Sequence, residues 1–336
     1  MYGPPCLPHN SNFTMVDRNQ AVFPWGTIRW SPEAETFVKG ISGFDRKGER
    51  SEELEKMMSS MTEPEKWKPA VETRADRMAD DVVRLLARPQ IPCKSEEWHA
   101  KRRKVFTASD APLAMGVVKG KNLASVIAKK HGPAENKVWQ QACQWGNQYE
   151  SQALALFQLF SGQEYASTNC GLFVHEVEEH VAATPDAVLR KGGLVEVKCP
   201  FSYKNNSLLN TCSLAEEDLP KKYWWQVQQQ LYVTLMKHCL LLQYRPFTPT
   251  QKACLTISLI TFAPSSFLPL LYMYKNHASL ITSPPPPILS MREQQGHDFL
   301  VVDTSLNPPR KNRKKKKRKT RAEHTEQELH EMMNFL

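Results

Sequence analysis

The stretch that most constrains the fold is residues 182–200, AATPDAVLRKGGLVEVKCP. It predicts two short strands, because apolar arms lie on both sides of a polar turn that contains glycine. A three-residue loop, Arg190–Gly192, lets Gly192 adopt the left-handed conformation that such hairpins favour. The stretch is therefore expected to be a tight β-hairpin.

This register places Asp186 opposite Glu196. Side chains on a strand alternate between its two faces, so Glu196 and Lys198 share one face while Val195 and Val197 share the other. The valines are expected to face a core. Two carboxylates and an ammonium group then converge on one small patch of an otherwise apolar hairpin.

Carboxylates held close together repel each other, and burial increases the repulsion. A divalent metal relieves it, and oxygen-only ligands suit Mg²⁺ or Mn²⁺ better than zinc. A nearby lysine can orient or deprotonate a metal-bound water and can offset charge that develops on a phosphate. The alternative is a surface hairpin whose acids and lysine form a solvated salt-bridge cluster.

The arrangement Pro185-Asp186 followed by Glu196-Val197-Lys198 resembles the core of PD-(D/E)xK nucleases. The longer string, Thr184-Pro185-Asp186 with Glu196-Val197-Lys198-Cys199-Pro200, is similar to the YqaJ-like viral recombinase family, to which phage lambda exonuclease belongs. The resemblance implies an α/β (α+β) fold with a restriction-endonuclease-like core, a mixed central sheet flanked by helices.

A basic helix precedes the hairpin in the chain. Ser95 is a suitable N-cap for it, and the run that follows is similar to the opening W-H-x-x-R-x6-S motif of the family. The resemblance assigns Arg102 and Ser109 to the 5′-terminal phosphate, since Arg offers a planar fork of donors and Ser a hydroxyl. Arg103 is a competing choice, and an ordinary charged helix is the alternative.

A helix with a buried stripe is expected from Trp145 to about Ser161, ended by Gly162. Glu150 lies at the edge of that stripe, where a glutamate is usually solvated. Its G-x-x-x-E setting, however, resembles the third acidic ligand of the family.

A later helix carries an aromatic and glutamine-rich run from Tyr223 to Tyr232. Packing together with solvated amides would explain such a run. The family has a similar Q-x-Q helix beside its metal site, and the resemblance gives Gln226 and Gln228 contacts with the DNA backbone.

Taken together, the resemblance implies a catalytic set of Asp186, Glu196 and Lys198. The metal ligands would be Glu150, Asp186, Glu196 and the main-chain carbonyl of Val197, with Mg²⁺ as the ion and Mn²⁺ as the alternative.

The function it implies is a metal-dependent DNA exonuclease that degrades double-stranded ends in the 5′-to-3′ direction, in recombination or repair of viral or mobile-element type. The partners it implies are double-stranded DNA ends, a further copy of the chain and a single-strand annealing protein. Two alternatives stay open: an endonuclease with the same site, and a non-catalytic DNA-binding scaffold.

Composition divides the chain of 336 residues into three parts. Residues 1–90 are expected to be an N-terminal extension, mostly irregular up to residue 69 and with one helix near residues 71–87. Residues 91–280 are the predicted nuclease domain, and residues 281–336 are a Pro-rich spacer and a basic tail. The eight cysteines show no metal-binding spacing, which favours a reducing compartment. No apolar run is long enough to cross a membrane.

The net charge of +9 is concentrated in the tail, and the remainder is close to balance. The tail contains a block of like charge that cannot fold alone. It is either a nuclear localisation signal or a disordered arm that attracts nucleic acid. We expect a nuclear protein in a eukaryotic host and a cytoplasmic one otherwise. The block consists of Arg313, Lys314, Lys315, Lys316, Lys317, Arg318 and Lys319.

Overall fold

The structure is a computed structural model that describes residues 14–17, 20–23, 26–42, 67–132, 137–201, 219–248 and 251–283. The basic block at 313–319 and the Pro-rich spacer lie outside these residues. The strands are β1 Thr14–Asp17, β2 Gln20–Phe23, β3 Gly26–Trp30, β4 Phe106–Thr107, β5 Tyr165–Ser167, β6 Phe173–Val174, β7 Val181–Ala183, β8 Ala187–Leu189, β9 Leu194–Lys198, β10 His238–Arg245 and β11 Ala253–Thr261. The α-helices are α1 Pro32–Ser42, α2 Asp80–Ala87, α3 Glu96–Arg103, α4 Ala111–Ala114, α5 Leu123–His131, α6 Lys137–Ser161, α7 Lys221–Thr234 and α8 Pro264–Thr282, with 3₁₀ turns at Ala75–Arg77 and Ala108–Asp110.

The main sheet has the strand order β1-β2-β3-β11-β10-β9-β8-β5. Its β9–β10 and β3–β11 pairs are parallel, and its other pairs are antiparallel. Strands β10 and β11 are almost wholly buried apolar runs, as expected for strands covered on both faces. The predicted mixed sheet is confirmed.

Helices cover both faces of this sheet. On one face, α1 and α6 pack against it through residues such as Val38, Leu156 and Phe157. On the other face, α2, α7 and α8 pack through residues such as Leu85, Val227 and Phe267. Each such fully buried side chain contributes about 1.5–3 kcal/mol relative to exposure. The sheet thus lies between two apolar layers.

The expectation of mostly irregular structure up to residue 69 is wrong for residues 14–17, 20–23 and 26–42, which form β1–β3 and α1. β3 alternates buried and half-buried side chains and adds to the edge of β11. A Cβ on Gly26 would lie 2.3 Å from the carbonyl oxygen of Ala253, so only glycine permits this approach. The sequence pattern does not predict these strands, because each has only four or five residues and lies between turn-forming residues.

The helix predicted near residues 71–87 is shorter than expected. Only Asp80–Ala87 is α-helical, and a 3₁₀ turn at Ala75–Arg77 precedes it. Ala79 takes an extended backbone conformation between the two, where its amide donates to the carbonyl of Arg190 in the hairpin loop. A tertiary hydrogen bond thus replaces a helical one at this point.

Among the described residues, no helix is long and apolar enough to span a membrane.

Candidate active site

The hairpin forms with the predicted register. Ala187 pairs with Val195 and Val188 with Leu194, so Asp186 lies at the open end opposite Glu196. Gly192 has a φ of 108°, in the positive region that the loop requires. Because β9 also pairs with β10, the hairpin is a central part of the sheet and not a surface appendage.

Glu196 is the centre of the candidate site. Although it is only 2% exposed, both of its carboxylate oxygens accept hydrogen bonds. Lys198 Nζ and Gln226 Nε2 donate to Oε1, the latter at 2.5 Å, and Gln230 Nε2 donates to Oε2 at 2.6 Å. A buried carboxylate surrounded by donors in this way is satisfied and fixed in orientation.

Asp186 is held by the opposite strand of the hairpin. Its Oδ2 accepts a hydrogen bond of 2.7 Å from the main-chain amide of Val197. Burial, then Glu196 and Glu150, raise the pKa of Asp186 well above its ordinary value. The carboxylate is therefore held in a place where its negative charge is unfavourable.

Glu150 approaches the same place from α6. Burial and then Glu196 raise the pKa of Glu150, whereas Lys94 and Lys198 act in the opposite direction. The helix presents Glu150 because Ala153 and Leu156, one and two turns on, are fully buried against the sheet. Three carboxylates thus lie within electrostatic reach of one another.

Lys198 supplies the positive charge of the cluster. Burial disfavours its ammonium, but Glu196 and then Asp186 outweigh burial and raise the pKa of Lys198. The side chain therefore stays protonated at neutral pH. In this state it can orient water and stabilise negative charge, but it cannot accept a proton.

The donor set can be tested against the metal that the sequence predicts. No group of three or more His, Cys, Asp or Glu side chains arranged to hold a metal ion occurs in the described part of the chain. The chemistry nevertheless fits, since Glu150, Asp186 and Glu196 are carboxylates, and after burial Glu196 raises the pKa of both Glu150 and Asp186. A hard divalent cation takes oxygen ligands and relieves such repulsion.

Arg102 and Ser109 are brought together as predicted. Arg102 Nη2 lies 3.5 Å from Ser109 Oγ, and the guanidinium lies 4.2 Å above the ring of Trp98. The predicted N-cap is also present, since Ser95 Oγ accepts from the amide of Trp98. Arg103, the competing choice, is exposed one position further along α3.

The Arg102–Ser109 pair and the carboxylates lie close to one another. Trp98, which touches Arg102, donates from Nε1 to Thr184 Oγ1 at 3.4 Å, two residues before Asp186. Burial raises the pKa of the Cys93 thiol, and Glu150, Arg102 and Asp186 all act on it. Arg102 and the two carboxylates are therefore all within electrostatic reach of Cys93.

The two glutamines predicted to contact the DNA backbone lie in different places. Gln226 reaches the carboxylate cluster, and its contact with DNA stays a prediction, but Gln228 is fully buried. Its Nε2 donates to the carbonyl of Thr261 and its Oε1 accepts from the amide of Ala263, both at 2.8 Å. The prediction that Gln228 contacts the DNA backbone is therefore wrong, because this side chain joins the end of β11 to the start of α8.

Gln230 is the residue that sequence reasoning missed. It lies four positions after Gln226, on the same face of α7, and both amides donate to Glu196. Gln228 lies two positions from each and faces away. The glutamines that contact Glu196 are therefore four positions apart, which is the spacing of one helical face, and not two positions apart as in the Q-x-Q motif.

Residues 97–237 match the model of the YqaJ-like viral recombinase domain. This segment is less than half of the chain, and it is similar to that domain. The YqaJ-like domain includes Arg102, Ser109, Glu150, the hairpin and the glutamines of α7.

One curated relative is the uncharacterized protein R354 of Acanthamoeba polyphaga mimivirus. It is 30% identical over 174 residues, which are 48% of this chain and 30% of the relative. The chain thus corresponds to less than a third of that relative's length.

Solved structures of exonucleases show more distant likeness. LHK-Exo, an alkaline exonuclease from Laribacter hongkongensis, is 21% identical over 56% of this chain and 90% of its own, with a TM-score of 0.41. Its complex with dAMP gives 0.42 at the same identity and coverage. A phage-related exonuclease from Haemophilus somnus 129PT is 14% identical over 65% of this chain and 94% of its own, with a TM-score of 0.29.

Proposed function

We propose that the YqaJ-like domain is a divalent-metal-dependent exonuclease that hydrolyses DNA phosphodiester bonds from double-stranded ends. The observation that carries the proposal is that Asp186 and Glu196 lie opposite each other at the open end of the hairpin, where Lys198 donates to Glu196 and where Glu150 of α6 acts on the pKa of Asp186. The family of the segment supports a nuclease role in recombination.

Each side chain has a distinct part in the reaction. Asp186, Glu196, Glu150 and the carbonyl of Val197 would hold the cation, with Mg²⁺ as the first choice and Mn²⁺ as the second. When bound, the cation supplies Lewis acidity and lowers the pKa of water. Lys198 orients the attacking water and stabilises the charge that develops on the phosphate as the new phosphorus–oxygen bond forms and the ester bond breaks.

The 5′ end is recognised by Arg102 and Ser109 in this proposal. A guanidinium and a hydroxyl 3.5 Å apart offer donors to one terminal phosphate. The aromatic ring of Trp98 beneath the guanidinium fixes its plane. A phosphate held there, beside the carboxylates, directs cleavage from the 5′ end towards the 3′ end.

The test is degradation of two DNA substrates in Mg²⁺, in Mn²⁺ and in EDTA. One substrate is linear duplex labelled at either end, and the other is a closed circle. We expect the wild type to degrade only the linear DNA, from its 5′ ends and only with metal. Asp186→Ala should be inactive, whereas Asp76→Ala, which removes an exposed carboxylate, should be fully active.

Other outcomes would contradict the proposal in distinguishable ways. Cutting of the circle would make the protein an endonuclease with the same site. Binding of DNA without cleavage of either substrate would make it a scaffold. If the 3′ label is lost first, degradation starts at the 3′ end and the proposed 5′-to-3′ direction is wrong.

The basic block at residues 313–319 is proposed to act as a nuclear localisation signal in a eukaryotic host. Fusion of residues 308–322 to a fluorescent reporter should concentrate the reporter in nuclei, and replacement of the seven basic residues by glutamine should prevent this. A reporter that stays cytoplasmic would leave the DNA-binding arm as the explanation.

A further inference from the structure

A buried ion pair lies behind the proposed phosphate site. Asp110 is fully buried and the side chain of Lys130 is 6% exposed, and Lys130 Nζ lies 2.5 Å from Asp110 Oδ2. Lysine and aspartate are rarely buried to this degree unless they are paired. The pair joins the end of α5 to the 3₁₀ turn that carries Ser109.

Asp110 fixes the serine side of the phosphate site. Its Oδ2 accepts from the amide of Thr107 at 2.9 Å, as one half of a capping box at the start of the turn, and also from Thr107 Oγ1 at 2.6 Å. Thr107 Oγ1 in turn lies 3.1 Å from Ser109 Oγ. The carboxylate thus determines where the serine hydroxyl is presented.

Lys130 fixes the arginine side. In addition to its bond with Asp110, its Nζ donates to the main-chain carbonyl of Arg102 at 2.9 Å. That carbonyl belongs to the last turn of α3, where carbonyls have no helical partner. One ammonium group therefore holds the backbone of Arg102 at a set distance from the turn that carries Ser109.

The arrangement is more than is needed for stability. A buried ion pair gains little over apolar side chains of the same volume, because both charges must be removed from water. Its advantage here is geometric, since a single centre contacts both halves of a site that are separated by seven positions in the chain.

We infer that Asp110 and Lys130 are positioning residues for the phosphate site, which hold Arg102 and Ser109 at the separation that one terminal phosphate requires. This inference rests on the proposed function, in which those two side chains bind the 5′ phosphate. Neither Asp110 nor Lys130 touches the DNA in this role. They act through Arg102 and Ser109.

The experiment compares cleavage of linear duplexes that carry a 5′ phosphate or a 5′ hydroxyl. The variants are Lys130→Met, Asp110→Asn, Arg102→Ala and the double variant Arg102→Ala/Lys130→Met. Lys129→Met is the matched control, since it removes the neighbouring charge from α5, and that side chain is half-exposed and lies 3.6 Å from Asp110 Oδ1. Thermal unfolding of each variant gives its folded fraction.

Lys130→Met should lower the preference for phosphorylated ends about tenfold or more, because a small misplacement of a binding group has effects of this size. The loss should appear in KM for phosphorylated ends, with the rate on hydroxyl ends unchanged. Asp110→Asn should act in the same direction and Lys129→Met should not. The double variant should equal Arg102→Ala, since a residue that acts through Arg102 has no further effect without it.

Two results would overturn the inference and can be told apart. If Arg102→Ala lowers the preference while Lys130→Met and Asp110→Asn leave it unchanged, the ion pair has no positioning role and the phosphate site stands. If Arg102→Ala itself leaves the preference unchanged, the phosphate site and the inference fall together.

Discussion

Gln230 of α7 and Glu196 of β9 are joined by a hydrogen bond of 2.6 Å from Nε2 to Oε2. The bond orients a carboxylate that is expected to be a metal ligand, and Gln226 orients its other oxygen. Groups of this kind hold a ligand in the geometry that the metal needs.

Gln230→Leu should therefore weaken Mg²⁺ activation by about 10–100-fold without unfolding the domain. The measurement is cleavage rate against Mg²⁺ concentration. Gln228→Leu is the matched control on the opposite face, which should keep its metal dependence and instead lose about 1–3 kcal/mol of unfolding free energy through the unpaired groups at Thr261 and Ala263. Equal metal dependence in the two variants would contradict the assignment.

Lys198→Ala should lower the cleavage rate by at least about 10²-fold, because the protonated amine that stabilises developing charge is lost. Binding of duplex DNA, followed by fluorescence anisotropy, should change little. Lys191→Ala removes an exposed lysine from the loop of the same hairpin and should leave the rate unchanged. An unfolded Lys198→Ala protein would point to a structural role for this side chain.

Asp186→Asn should abolish cleavage and yet stabilise the metal-free protein. Burial, Glu196 and Glu150 all disfavour a charge at this position, whereas an amide oxygen can still accept from the amide of Val197. Each kcal/mol gained should raise Tm by about 2–4 °C. Thermal unfolding in EDTA provides the measurement, and a lower Tm than that of the wild type would show that the carboxylate is structurally required.

Arg102→Ala should reduce the preference for 5′-phosphorylated ends, whereas Arg103→Ala should retain it. Only Arg102 is stacked on Trp98 beside Ser109, and Arg103 is exposed to solvent. The comparison uses initial rates on phosphorylated and dephosphorylated duplex. If only Arg103→Ala loses the preference for phosphorylated ends, Arg103 and not Arg102 binds the phosphate.

Asp110 makes the stability of the domain depend on acid pH. Burial would raise its pKa, but Lys130 and then Lys129 outweigh burial and hold the pKa below the ordinary value of 3.8. The carboxylate therefore contributes stability that is present above pH 3.8 and is lost as the pH falls through the lower pKa of the folded state.

Asp110→Asn should accordingly lower the unfolding free energy at pH 7 by about 3–5 kcal/mol, the usual effect of leaving a buried charge unpaired. The difference from the wild type should shrink as the pH falls below 3.8. Urea unfolding across this range measures it, with the exposed-site variant Asp76→Asn as control. A difference that stays constant with pH would show that the ion pair is not the source.

The hairpin illustrates how much local sequence can predict. Its register, its loop and the shared face of Glu196 and Lys198 follow from the alternation of side chains and from the need for glycine at a positive φ. These are properties of neighbouring residues. No distant part of the chain was needed to predict them.

The partners of Glu196 illustrate the opposite. Which glutamine of α7 reaches the carboxylate depends on how the helix is rotated against the sheet, and packing of residues such as Val227 and Leu231 sets that rotation. Gln226, Gln228 and Gln230 are chemically identical, and only their angular positions on α7 separate the two that bind Glu196 from the one that is buried.

The amino-acid sequence by itself determined the hairpin and the shared face of Glu196 and Lys198, because short spacings within the hairpin impose them. The resemblance to the family supplied Glu150 and the arginine–serine pair, which lie on other elements. Only the tertiary structure decided that β1, β2 and β3 extend the sheet, that Gln230 belongs to the site and that Lys130 reaches Arg102. Contacts between segments far apart in the chain depend on packing across the whole core, which no local pattern encodes.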